Sequence, residues 1–127
     1  MGMLSCESLL DHRVPEGSVC LWWLGQTGFL IKSPQGAVVV LDPYLTDSCE
    51  AIGLRSGYHM ARLAPPPIAP AALKDVDAYV MTHSHPDHLD PETLAAYRAA
   101  GGHGPYFAPA QTGEKLQELG VRDPVPL

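Results

Sequence analysis

The fold class this sequence predicts is α/β, a sheet covered by helices on at least one face. Three observations lead there. Short apolar runs rich in β-formers crowd the first third, as in Ser18–Leu24 and Ala37–Leu41. Asp90-Pro91-Glu92 is a strong helix start, closed about ten residues later by Gly101-Gly102. Ala78–Thr82 reads as a strand shortly before that helix, so strand and helix alternate from there on.

Taken in order, residues 1–17 form a polar lead-in that ends at the turn signal Pro15-Glu16-Gly17. Ser18–Leu24 is a strand, broken by Gly25-Gln26-Thr27-Gly28, and Phe29-Leu30-Ile31 resumes as the second. Ser33-Pro34-Gln35-Gly36 has the residue preferences of a type I turn. The unbroken run Ala37–Leu41 is then a third strand, and short links make the three an antiparallel meander. From Tyr44 to Pro70 no period of either kind is sustained, and Pro65-Pro66-Pro67 makes the exit extended. Pro70–Lys74 fits one helical turn. After the fourth strand a helix runs from Asp90 to about Ala100. Tyr106-Phe107 is a short fifth strand, and a second helix spans about Ala110 to Leu119, stopped by Gly120. Val121–Leu127 carries two prolines and no pattern. Little of the chain is left to cover the sheet's other face.

The 127 residues are one domain by length. A net charge of −6, with lysines and arginines scattered singly, argues against a nucleic-acid or anionic-membrane surface. Cys6, Cys20 and Cys49 are odd in number and lack metal-like spacing, which fits free thiols in a reducing compartment. The first residues have no long apolar run, so neither a signal peptide nor a membrane span is expected, and a cytoplasmic location is.

The chemistry concentrates in His83-Ser84-His85-Pro86-Asp87-His88. His83 and His85 lie two apart at a strand's end, so extended backbone points both side chains the same way. Asp87 and His88 follow after Pro86 has turned the chain. One pair of imidazoles is offered to a first metal ion, and an acid–imidazole pair to a second. Imidazole and carboxylate together suit zinc, manganese or iron. Two such ions about 3.5–4 Å apart can acidify a shared water and stabilise charge on an attacked carbonyl or phosphorus. Ser84 lacks the separate base and orienting acid of a nucleophilic serine, and Gly25 and Gly28 lead into no helix or lysine of a phosphate loop.

An HxHxDH motif after a hydrophobic strand resembles the signature of the metallo-β-lactamase superfamily. Trp22-Trp23-Leu24-Gly25-Gln26-Thr27-Gly28, Val39-Val40-Leu41-Asp42-Pro43, Pro65-Pro66-Pro67-Ile68 and Asp77 are similar to the L-ascorbate-6-phosphate lactonase branch. The resemblance runs from about Val19 to Val121. It implies that residues 1–127 are the N-terminal, metal-motif half of an αββα sandwich, cut short of its second half. One mixed, mostly antiparallel sheet with helices on one face is then expected. It further implies two divalent ions, zinc or manganese, held by His83 and His85 and by Asp87 and His88. Asp87 would also orient the nucleophilic water, and Asp42 would brace the motif from behind. The implied activity is hydrolysis of a lactone or phosphodiester, with a phosphorylated sugar lactone as the small-molecule substrate. Members of the family draw a third histidine, a bridging aspartate and a last histidine from the second half. Without them each ion keeps about two protein ligands, where catalytic zinc sites ordinarily have three. The alternative is therefore a catalytically incomplete metal-binding or interaction module, completed by an oligomer or a second chain. His59, in Gly57-Tyr58-His59-Met60, is a candidate substrate-loop residue. His12 and His103 are expected to face solvent, and Cys49 to be a buried thiol. Of Trp22 and Trp23, one should lie in the core and the other under a covering element.

Overall fold

A computed structural model describes the backbone of residues 6–127 and the side chains from Leu9 onward; the start of the polar lead-in and the Cys6 thiol lie outside the described part. The elements are α1 (Cys6–Asp11), β1 (Cys20–Trp23), β2 (Phe29–Lys32), β3 (Val38–Leu41), α2 (Ser48–Arg55), a 3-10 turn (Pro70–Leu73), β4 (Ala78–Val80), α3 (Pro91–Ala99), β5 (Tyr106–Ala108), α4 (Ala110–Glu118) and β6 (Val125–Pro126). The strands form one sheet in sequence order. The meander β1-β2-β3 is antiparallel as expected, and β3 through β6 pair in parallel. The sheet is mixed, but the expectation of a mostly antiparallel one is corrected: three of its five pairings are parallel. Each connection after β3 crosses over the sheet through helical segments, and such crossovers return the chain in the same direction.

The register sorts the side chains into two faces. Trp22, Leu30, Val40, Tyr79 and Tyr106 stand opposite one another across five strands. They join Leu9 of α1, Leu94 and Tyr97 of α3 and Leu116 of α4 in the core, so these helices cover this face. Tyr79 and Tyr97 pack ring to ring at 4.9 Å, and each such buried side chain contributes about 1.5–3 kcal/mol. The other face carries Trp23, Phe29, Leu41, Val80, Phe107 and Val125, again directly opposed. None of these six is fully buried. Trp23 is 66% exposed. No element among the described residues covers it, which corrects the expectation for this tryptophan; Trp22 does pack against the core.

Three further differences are local. Residues 6–11 form a short helix within the expected lead-in, its end tied to the sheet where Lys32 Nζ donates to the Leu10 carbonyl. The long irregular segment contains α2, whose buried residues are only Cys49 and Gly53. The C-terminal segment adds β6, a two-residue strand.

Candidate metal centre

Parallel pairing brings the C-terminal ends of β3 and β4 to the same edge of the sheet, where open α/β sheets place their ligands. Asp42 follows β3 directly, and Thr82 and the histidine motif follow β4. Asp42 adopts a left-handed backbone, φ 44°, which side chains other than glycine adopt rarely. Its backbone N–H donates to the Val80 carbonyl at 2.9 Å, which locks the two strand ends together. The motif itself closes as a turn: His88 N and Leu89 N both donate to the His85 carbonyl, at 2.9 and 2.8 Å. Leu89 is buried and fastens the turn to the core.

This turn gathers the imidazoles. The His83 ring lies 3.9 Å from that of His88 and 4.5 Å from that of His85, centroid to centroid. Asp87 Oδ2 lies 3.6 Å from His88 Nε2. Behind them, His88 Nδ1 donates to Asp42 Oδ2 at 2.7 Å. Asp42 also accepts from Thr82, from the backbone N at 2.8 Å and from the hydroxyl at 2.6 Å. Thr82 Oγ1 stands 2.9 Å from His83 Nδ1, and Thr27 Oγ1, in the turn after β1, 3.2 Å from His88 Nδ1. Sequence reasoning missed both threonines. Thr82 had a signal, a hydroxyl residue directly before the motif; Thr27 had none, being 61 positions from its partner.

The donor set of three imidazoles and one carboxylate fits zinc, manganese or iron in kind. Among the described residues no three of these side chains already converge as ligands of one ion. What favours the fit is the tie from His88 Nδ1 to Asp42, since the histidine's other nitrogen then stays available beside Asp87.

The remaining candidates lie elsewhere. His59 is on the surface, its Nδ1 3.1 Å from Glu50 Oε1, and its contacts are with α2 rather than with the motif. The Glu50 carboxyl is held below its ordinary pKa, first by His59 and then by the Met60 N–H. His12 and His103 are exposed, as expected. Cys20 and Cys49 are free thiols, and burial pushes the Cys49 thiol up, with Asp87 and Asp90 adding to the shift. Burial likewise pushes Tyr44 up to about 12. Arg62 clamps the long loop: its guanidinium donates to the carbonyls of Leu24, Tyr44 and Ala64, and packs over Gly25. No helix among the described residues is long and apolar enough to cross a membrane.

A family model described as a beta-lactamase superfamily domain matches residues 38–126, which take in Asp42 and the whole histidine motif. The chain belongs to this superfamily. Among its curated relatives in the superfamily is the probable L-ascorbate-6-phosphate lactonase of Escherichia coli O45:K1, 31% identical over 105 residues, which cover 71% of this chain and 30% of that protein. The protein of the same description from Salmonella paratyphi B is 30% identical over the same shares. The chain thus spans about 30% of the length of the superfamily relatives it matches. Its mixed six-stranded sheet with helices on one face is consistent with half of a metallo-β-lactamase fold.

Proposed function

We propose that this chain provides the metal-binding half-site of a metal-dependent hydrolase. The observation that carries the reading is the ring-to-ring gathering of His83, His85 and His88, with His88 braced by Asp42 and flanked by Asp87. His83 and His85 would hold one divalent ion and Asp87 and His88 another, zinc or manganese. Bound ions of this kind supply an acidified water and polarise the attacked group. Asp87, the partly exposed carboxylate of the motif, would orient that water and accept its hydrogen bond. Asp42 would hold His88 in place through Nδ1. The relatives are described as probable L-ascorbate-6-phosphate lactonases, which supports a phosphorylated sugar lactone as substrate. A phosphodiester would make the same demands on these residues. Cys20 and Cys49, the free thiols among the described residues, support a reducing, cytoplasmic location.

Since this chain offers about two ligands to each ion, binding by the 127 residues alone should be weak and hydrolysis slow. Titration calorimetry with zinc and manganese tests the reading. His83→Ala and His88→Ala should each weaken binding by more than the roughly 10–100-fold typical of a lost outer partner. Binding that survives the double substitution unchanged would overturn it. A second reading has its own observation, the uncovered apolar row from Trp23 to Val125. It makes the chain an interaction module whose site is completed by an oligomer or a second chain. Under that reading L-ascorbate 6-phosphate is hydrolysed only when the partner is added.

A further inference from the structure

We infer that Thr82 is a positioning residue which, anchored by Asp42, sets His83 in the same tautomer that Asp42 gives His88 directly, with hydrogen on Nδ1 and the lone pair on Nε2. Its functional meaning rests on the metal-binding reading above; the hydrogen-bond count behind it requires no metal.

Three donors meet the carboxylate of Asp42, whose side chain is 3% exposed. Thr82 N reaches Oδ1 at 2.8 Å, while Thr82 Oγ1 and His88 Nδ1 reach Oδ2 at 2.6 and 2.7 Å. An ionised carboxylate only accepts, so each of these groups must bring a hydrogen. His88 therefore carries its hydrogen on Nδ1. The opposite tautomer would set an imidazole lone pair against a carboxylate oxygen at 2.7 Å. Thr82 has one hydroxyl hydrogen, and Asp42 takes it. Facing His83 Nδ1 at 2.9 Å, the hydroxyl oxygen can then only accept. His83 must donate, and its hydrogen too sits on Nδ1. A neutral imidazole has a single N–H, so Nε2 of both rings is left as the acceptor through which a divalent ion is bound.

Two features fit this role. Threonine is β-branched and stiff at χ1, which fixes the hydroxyl between carboxylate and ring. Asp42 keeps its left-handed φ of 44°, a conformation that persists only where its surroundings over-determine it. Thr27 Oγ1 at 3.2 Å and Thr82 Oγ1 at 3.5 Å from His88 Nδ1 are secondary neighbours of an N–H already aimed at Asp42. His85 has no side-chain hydrogen bond among the described residues, which makes it an internal comparison.

The test is long-range ¹H–¹⁵N correlation of the histidine rings in the metal-free 127-residue chain. His83 and His88 should both show the Nδ1–H pattern. Thr82→Val should move His83 toward the Nε2–H tautomer while His88 keeps Nδ1–H, and Thr82→Ser should restore the wild-type pattern. In calorimetry Thr82→Val should weaken zinc binding by about 10–100-fold, with Ser recovering most of it. A wild-type His83 protonated on Nε2, or a valine variant with an unchanged His83 pattern, overturns the relay whether or not zinc binds. The expected tautomers in a chain that binds neither zinc nor manganese would instead sink the metal reading and leave the relay standing.

Discussion

Asp90 has no exposed surface, yet four donors surround its carboxylate. Thr46 Oγ1, Ser48 Oγ and Thr93 Oγ1 donate to it at 2.7, 2.8 and 2.5 Å, and the Glu92 N–H at 3.1 Å. The residue caps α3 and also ties the start of α2 to it, two positions beyond the candidate ligand His88. Asp90→Ala would leave these groups without their acceptor in a dry site. It should cost about 3 kcal/mol of unfolding free energy, the sum of a lost cap and stranded donors. Urea denaturation checks this, and a loss under about 1 kcal/mol would show that the hydroxyls find other partners. Tyr79 is the opposite case. Its hydroxyl is buried with no hydrogen-bond partner among the described residues, and burial holds the phenol well above its ordinary pKa. Removing an orphaned hydroxyl while keeping the ring costs little. Tyr79→Phe should therefore leave stability unchanged or raise it by about 1 kcal/mol in the same assay. A marked loss would reveal a partner for the hydroxyl, such as a bound water.

At the scale of elements, helix ends were the most legible feature. Asp90-Pro91 and Gly101 bracket α3 as the sequence predicts, because a cap and a left-handed stop are local devices. Gly101 sits at φ 107°, and Gly101 N and Gly102 N close the helix on the carbonyls of Arg98 and Tyr97. A Cβ at Gly101 would meet nothing within 4 Å, so Gly101→Ala isolates the backbone cost. That substitution should lower the thermal midpoint through about 1–2 kcal/mol. An unchanged midpoint would mean that the helix ends differently in solution. What was hidden in the sequence was non-local. α2 escaped because only Cys49 and Gly53 turn inward, too few for a period, although Gly57 marks its end as Gly101 does for α3. β6 escaped because Val125-Pro126 gains its strand character only by lying beside β5. The histidine motif was readable as a string. The Asp42–Thr82–His83 contacts were not, since forty residues separate the carboxylate from its hydroxyl partner.

For the whole molecule, the two faces of the sheet have unlike fates although both are apolar. The helix-covered face buries Leu30, Val40, Tyr79 and Tyr106, and that packing holds β3 and β4 where their ends present Asp42 and the motif. The opposite face leaves Leu21 60% and Trp23 66% exposed, in register with Ile31 and Phe29 on β2. Contiguous apolar surface of this kind is uncommon on monomers and marks a contact region. The 127-residue chain should accordingly bind a hydrophobic dye and self-associate as concentration rises, by fluorescence and light scattering. Replacing Leu21 and Trp23 together with threonine should reduce both signals. Stability should fall by less than about 1 kcal/mol, because neither side chain belongs to the core and threonine suits a strand. Metal affinity should be unaffected in the double variant, since among the described residues neither side chain has a hydrogen bond or ring contact with the motif, Trp23 Nε1 donating instead to the Gln26 carbonyl. A wild-type chain that stays monomeric and dye-free would show this face to be satisfied by water, and the second reading of the site would lose its footing.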